Sequence, residues 1–301
     1  MKHISVCICT YKRPNLLKRL LNELDHQGTE GLFDYSIVIV DNDKLKSAQD
    51  VILSFQRVTK INVKYCIEPE QNIALARNKA IENAKGELIA FIDDDEFPIS
   101  TWLLELYNTY KKFAADGVLG PVKPYFDQEP PEWLVKGRFC ERKEYPTGTL
   151  LHWGDTRTGN VLLDRRLFDK KEDRFGVEFG RTGGEDVEFF KKMINQGRVF
   201  VWCNEAIAYE TVPPERWKRL FHIKKSLRIG GLTGEKARKG EFGGVVIYLK
   251  VLSALCIYGA ALPFSFLISQ CIGTRCLSKA AYNLGCVFGF LGLTILRERD
   301  D

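Results

Sequence analysis

Apolar residues in the first third of this chain gather into short continuous runs. Residues 4–10 (ISVCICT), 35–40 (YSIVIV), 61–66 (INVKYC) and 87–92 (ELIAFI) are rich in β-branched and aromatic side chains, and each closes on a polar loop. Continuous rather than alternating runs predict strands buried on both faces. Residues 14–25, 47–56 and 73–85 stand between them and read as helices, Pro14 suiting a first helical turn and Gly86 supplying a stop. Strands alternating with helices predict an α/β fold, a mostly parallel sheet flanked by helices.

Such sheets bind ligands beyond the carboxyl ends of their strands, so the residues closing each run carry the chemistry. They are Thr10-Tyr11-Lys12-Arg13, then Asp41-Asn42-Asp43, then Asp93-Asp94-Asp95-Glu96. Four consecutive acids behind a buried strand repel one another and resist desolvation unless something cationic meets them. One reading is a nucleoside diphosphate with Mg²⁺ or Mn²⁺: Tyr11 stacks on a base, Asp41 accepts hydrogen bonds from its edge, and carboxylates near Asp95 hold the hard ion. The other is an exposed turn ahead of the helix STWLLELYNTYKKF, where acids are favoured in any case. Glu185 and Asp186 pose the same choice, because Gly183-Gly184 permits a tight turn that places both in the first turn of the helix EDVEFFKKMINQG.

The net charge of +5 is uneven, its basic excess lying in residues 214–240. That argues against a broad nucleic-acid-binding face and for a local anionic partner. The nine cysteines form neither a CxxC pair nor a zinc-spaced cluster, and read as reduced thiols used as small hydrophobes. MKHISVCICTYKRP has no long apolar core, so no secretory signal is expected there and the catalytic part is expected to stay cytosolic.

Within the basic segment, Trp217, Leu220, Phe221 and Leu227 recur at helical spacing among Lys and Arg, predicting an amphipathic helix for a membrane surface or for packing on the domain. Residues 251–274 and 280–296 then carry no formal charge and are separated by RCLSK. About 20 apolar residues span a bilayer, so the first run is long enough and the second is marginal. A spanning hairpin, a shallow or in-plane hairpin and a buried soluble hairpin all remain open.

Separated motifs then agree in order and spacing. CTYKRP, VDND, NIALARNKAI, GELIAFIDDDE and GRTGGEDVEFF, joined by VLGPV, TGNVLL and ETVPPERW, resemble those of glycosyltransferase family 2, over roughly residues 3–230. The resemblance implies the GT-A fold and an inverting transfer from a nucleotide sugar, usually a UDP-sugar, to an acceptor hydroxyl. It makes Thr10, Tyr11, Arg13 and Asp41 the nucleoside pocket, Arg77 a donor-site residue, Asp93 and Asp94 ribose and diphosphate neighbours, and Asp95 the metal ligand of a DxD motif. Asp186 resembles the general base, with Glu185 as fallback. Gly159 and Asn160 are expected to line the donor or acceptor pocket, Trp133 and Trp153 to stack on a sugar or anchor loops, and Trp102 and Tyr107 to sit in the core. Many family members carry a His shortly after the equivalent of AIAYE; here stands Glu210, and the third metal contact is left open.

The expected organisation is a GT-A catalytic domain at 1–212, a basic juxtamembrane segment at 213–242 and membrane-associated apolar helices at 243–301. The expected activity is metal-dependent transfer of a sugar, glucose first, from a UDP-sugar to a lipid-linked saccharide acceptor in exopolysaccharide biosynthesis. The expected location is the inner membrane, with the catalytic domain on the cytoplasmic side. A sugar nucleotidyltransferase would need a Gly-rich basic loop after the first strand, which CTYKRPN lacks. A catalytically silent nucleotide-sugar-binding scaffold would have no call for both Asp95 and Asp186.

Overall fold

The computed structural model describes residues 1–180, 183–240 and 244–293. In chain order the first half comprises β1 (Lys2–Thr10), α1 (Pro14–Leu24), β2 (Phe33–Asp41), α2 (Gln49–Gln56), β3 (Asn62–Ile67), α3 (Ile73–Asn83), β4 (Leu88–Phe91), β5 (Glu96–Pro98), α4 (Trp102–Phe113), β6 (Gly117–Leu119) and β7 (Val122–Tyr125). The second half comprises α5 (Glu132–Lys136), β8 (Val161–Asp164), α6 (Glu185–Asn195), β9 (Phe200–Trp202), β10 (Ala208–Thr211), α7 (Arg219–Arg238), α8 (Gly244–Ile268) and α9 (Gln270–Phe290). The chain divides into two units: Met1–Tyr125 with Arg142–Thr211, and Phe126–Glu141 with Val212–Asp301.

In the first unit a seven-stranded sheet runs β3-β2-β1-β4-β8-β6-β9. Only β8 is antiparallel to its neighbours β4 and β6; every other pairing is parallel. The expected mostly parallel sheet is therefore present, with its four predicted strands side by side. Ile4, Val6 and Ile8 of β1 join one buried layer with Leu17, Leu20 and Trp102, while Cys7 joins the other with Ala80, Phe189 and Phe190. Burial on both faces is what makes these strands read as unbroken apolar runs. A smaller sheet, β5-β10-β7, closes the rim beside the acidic loop, and Thr211 N–H donates to the Asp95 carbonyl across 2.9 Å.

The second unit holds the tail. The tail forms a hairpin of α8 and α9, but it turns at Ser269, whose side chain caps α9 by accepting from Cys271 N–H, and the RCLSK stretch expected to divide the two apolar runs lies inside α9. Among the described residues one helix, Tyr248–Ile268, is long and apolar enough to cross a membrane by length and composition. The end of the second apolar run, 294–296, lies outside the described residues, as do 181–182 of the GRTGGED motif. The basic helix departs from its expected amphipathic pattern: Trp217 precedes α7, Leu220 is exposed, and the face α7 buries is His222, Gly230, Gly234 and Ala237.

Candidate active site

Parallel pairing brings the strand ends to one rim, with Thr10 opposite Asp41 and Cys7 opposite Phe91, two residues ahead of Asp93. Thr10 Oγ1 donates to Asp94 Oδ2 at 2.7 Å. Arg13, just ahead of α1, reaches the same loop, its Nη1 lying 3.2 Å from Asp94 Oδ1 and 3.3 Å from Asp95 Oδ2. Lys12 between them takes a positive φ of 54°, which turns the chain sharply out of β1. Tyr11 is part-exposed at this turn, with the Lys12 ammonium over its ring.

Arg77 extends the cluster across the rim. Its helix is started by Asn72, whose side chain accepts from Ala74 N–H and Leu75 N–H. The guanidinium is buried; it pairs with Glu185 of α6 and stands 3.5 Å from Asp93 Oδ1. Residues more than ninety positions apart thus meet through one side chain. Gly183 and Gly184, at φ 81° and 103°, swing the chain into α6 so that Glu185 and Asp186 occupy its first turn. Glu185 is 4% exposed, with one oxygen on Arg77 and the other buried with no hydrogen-bond partner among the described residues. Asp186 is part-exposed, the more accessible of the two carboxylates.

The acids are crowded. Burial, then the neighbouring charges of Asp93, Glu210 and Asp94, push the Asp95 carboxyl up to about 7 against the pull of Arg13. Burial also raises Asp94, with Arg13 and Thr10 opposing, and raises Glu96 well above the carboxylate range. Two cations missing from the sequence reading answer this charge. Arg142 pairs with Glu210 of β10. Arg157 is drawn down to about 10 by burial and by repulsion from Arg142, despite the attraction of Glu96, Glu210 and Asp93. Both sit in irregular segments, where a lone Arg leaves no periodic signal.

Other expected residues have different surroundings. Asp41 is fully buried, and its oxygens accept from Asp43 N–H, Ala48 N–H and Tyr65 O–H, so it organises the loop between β2 and α2. Gly159 lies against the acids: a Cβ there would stand 2.6 Å from Glu96 Oε1 and 3.1 Å from Asp93 Oδ2. Asn160 corrects the expectation of a pocket-lining amide. It is fully buried; its Oδ1 accepts from Trp102 Nε1 at 2.7 Å and its Nδ2 donates to the Pro121 and Ala206 carbonyls, leaving no amide proton for a sugar. Trp102 and Tyr107 lie in the core. Trp153 is part-exposed beside His152 with the Lys191 ammonium above it, whereas Trp133 packs against Phe139 and His222 in the second unit.

Among the described residues no group of three His, Cys, Asp or Glu side chains stands close enough to hold a metal ion. The donor chemistry nevertheless suits a hard cation that binds through one or two carboxylates and completes its shell with substrate phosphates, as Mg²⁺ does. A buried carboxyl whose neighbours are mostly other carboxyls, as Asp95 is, has charge to be neutralised by such an ion.

An α/β sheet with carboxylates and arginines gathered at its strand ends has them where sheets of this class bind ligands. The chain belongs to glycosyl transferase family 2, whose model matches residues 5–173, and it is a glycosyltransferase. It is 31% identical over 98% of its length, and 95% of the relative's, to the succinoglycan biosynthesis protein ExoM of Rhizobium meliloti (strain 1021). It is 24% identical, over 55% of its length and 62% of the relative's, to the UDP-Glc:alpha-D-GlcNAc-diphosphoundecaprenol beta-1,3-glucosyltransferase WfaP of Escherichia coli. In fold it resembles S. aureus TarS 1-349, solved in complex with UDP-GlcNAc, with a TM-score of 0.56 at 18% identity over 97% of this chain and 93% of that one.

Proposed function

We propose that this protein is an inverting, divalent-metal-dependent glycosyltransferase that moves a sugar, with glucose the first candidate, from a UDP-sugar to a lipid-linked saccharide in polysaccharide assembly. The observation that carries the reading is the link through Arg77, which joins Asp93 of the acidic loop to Glu185, the neighbour of Asp186. One rim therefore holds both a diphosphate-facing acidic cluster and a separate accessible carboxylate, the two groups an inverting displacement requires.

Asp186 takes the acceptor hydroxyl proton as that oxygen attacks the anomeric carbon, and the bond to the UDP oxygen breaks on the opposite face. Glu185 is committed to Arg77 and positions the first turn of α6. Thr10 and Arg13 fix Asp94 and Asp95; Tyr11 offers its ring to the base; Asp41 shapes the adjoining loop. A Mg²⁺ or Mn²⁺ held through Asp95 supplies Lewis-acid neutralisation of the leaving diphosphate. The names of WfaP and ExoM support a saccharide acceptor of polysaccharide assembly, and the WfaP name a diphosphate-linked lipid. The apolar helix Tyr248–Ile268 and the basic α7 support attachment to the inner membrane, with 213–242 as juxtamembrane segment and the catalytic unit on the cytoplasmic side.

The test is release of the nucleoside diphosphate from a panel of UDP- and GDP-sugars with Mn²⁺ and a membrane lipid extract. Release from one donor, abolished in both Asp95→Ala and Asp186→Ala, is the expected result. Undiminished turnover in Asp186→Ala would overturn the assignment of the base.

A further inference from the structure

The tail helices are in register with one another, and the register bears on how they meet lipid. α7 and α9 run in the same direction. Arg219 Nε donates to Thr274 Oγ1 at 3.1 Å near one end; further along, a Cβ on Gly230 would lie 2.0 Å from the Tyr282 carbonyl oxygen, and one on Gly234 would lie 2.1 Å from that of Cys286. Backbones that close leave no room for a side chain between them, so the two helices pack as a close pair. α8 runs antiparallel on α9, with Tyr248 stacked on Phe290 at one end and Cys276 Sγ 3.3 Å from the Tyr258 carbonyl in the middle.

Tyr258 is the midpoint of the apolar span Tyr248–Ile268. The Lys279 ammonium of α9 lies 5.2 Å from the centre of its ring. Were α8 to cross a bilayer upright, Tyr258 would sit at mid-depth and Lys279 beside it, where an ammonium is strongly disfavoured and too deep to reach either surface. The register of α7 on α9 places Lys224, Lys225 and Arg228 between the Arg219 and Gly230 contacts, alongside the same middle stretch of α9. An upright bundle would sink this band of cations into hydrocarbon. Laid flat, the same bundle sets it at headgroup level.

Only 11% of the span is buried, and Ile257, Phe264, Leu267 and Ile268 are exposed, Leu267 at 83%. We propose that the tail unit lies flat on an anionic lipid surface, α8 embedded along the plane of the interface and not crossing it, with the cations of α7 and α9 at the phosphates. An in-plane helix of this kind sinks its apolar face by about 5–10 Å and gains from nearby basic residues. The inference rests on the membrane attachment proposed above and specifies its geometry.

The turn at Ser269 separates the alternatives. Ser269→Cys, and as reference Lys60→Cys on an exposed loop of the catalytic unit, are placed in the full chain with its native cysteines replaced, and probed with a membrane-impermeant maleimide in inverted vesicles and in spheroplasts. Labelling of both cysteines in the same preparation is expected. Labelling of position 269 only from the side opposite to position 60 would mean that α8 crosses, and labelling from neither side would mean a re-entrant turn; either overturns the proposal. Recovery of the chain in the soluble fraction would overturn both the geometry and the attachment, while UDP release measured on the same fractions would report separately on glycosyl transfer. The unmodified chain gives a second readout. Purified protein is expected to bind preformed phosphatidylglycerol vesicles at least tenfold more tightly than phosphatidylcholine ones and to move to fresh vesicles; equal binding to both, or no transfer, counts against it.

Discussion

Arg77 and Glu185 form an ion pair whose side chains are 8% and 5% exposed, joining α3 to the first turn of α6 across 108 residues of sequence. Removing one partner of such a pair leaves a buried charge and costs about 3–5 kcal/mol, whereas replacing both by apolar residues of similar volume is often near neutral. Arg77→Met alone is therefore expected to destabilise the fold by that order, and Arg77→Met with Glu185→Leu to recover most of it while transfer stays lost. Asp186→Asn, at a part-exposed helix terminus, is expected to cost less than about 1 kcal/mol and yet abolish transfer. Urea unfolding beside UDP release separates the two; a stability loss in Asp186→Asn equal to that in Arg77→Met would remove the distinction between positioning and catalysis.

Asp95 predicts how metal and pH interact. Its carboxyl is raised from the ordinary carboxylate range to about 7, so its contribution to the metal-free fold is intact below about pH 4 and lost as pH rises through 7. The shift corresponds to a loss on the order of 4 kcal/mol. A metal binds the deprotonated carboxylate, so its apparent affinity is expected to fall about tenfold for each pH unit below 7. With UDP present, Mn²⁺ should raise the melting temperature more at pH 8 than at pH 5.5, and Asp95→Asn should erase the difference. Equal shifts at both pH values would exclude Asp95 as the ligand.

The strands that frame the site were legible because a sheet covered on both faces needs unbroken apolar runs, and β1, β2, β3 and β4 have them. β6 and β9 were not: GVL and FVW are three residues each, and pairing rather than composition makes them strands. Acids at strand ends stood out by position. Arg142 and Arg157 did not, since an isolated cation in an irregular segment looks like any solvated one until the fold brings it to the acids. The α7–α9 interface escaped for a different reason: it is built from glycine, which hydrophobic periodicity does not count, while Leu220, one of the two leucines read as part of the apolar stripe, is exposed.

Gly159 is expected to be intolerant of even a methyl group. A Cβ would meet Glu96 Oε1 at 2.6 Å, and Glu96 is buried with little room to yield, so the displacement passes to the carboxylates of the acidic loop. Misplacement by about 1 Å near reacting groups costs up to about 100-fold in rate. Gly159→Ala should lower kcat/KM for the donor by at least about tenfold, with a folded circular dichroism spectrum retained. Unchanged kinetics would mean that the loop accommodates the methyl and that Glu96 plays no part in shaping the donor site.

Asn160 offers the converse test, since its place in the motif invites a binding role and its hydrogen bonds argue for a structural one. Asn160→Ala leaves Trp102 Nε1 and the Ala206 carbonyl without this partner, while the Pro121 carbonyl keeps the Ala208 N–H. Each unsatisfied buried group costs about 1–3 kcal/mol, so a loss of at least about 2 kcal/mol is expected. Asn160 also holds φ at 54°, a conformation Asn tolerates better than Ala, which adds to the cost. Because the defect lies in the fold, kcat/KM per folded molecule at low temperature should stay within about threefold of the parent as stability falls. A variant that keeps its melting temperature but raises the KM for the UDP-sugar would instead return Asn160 to the substrate pocket.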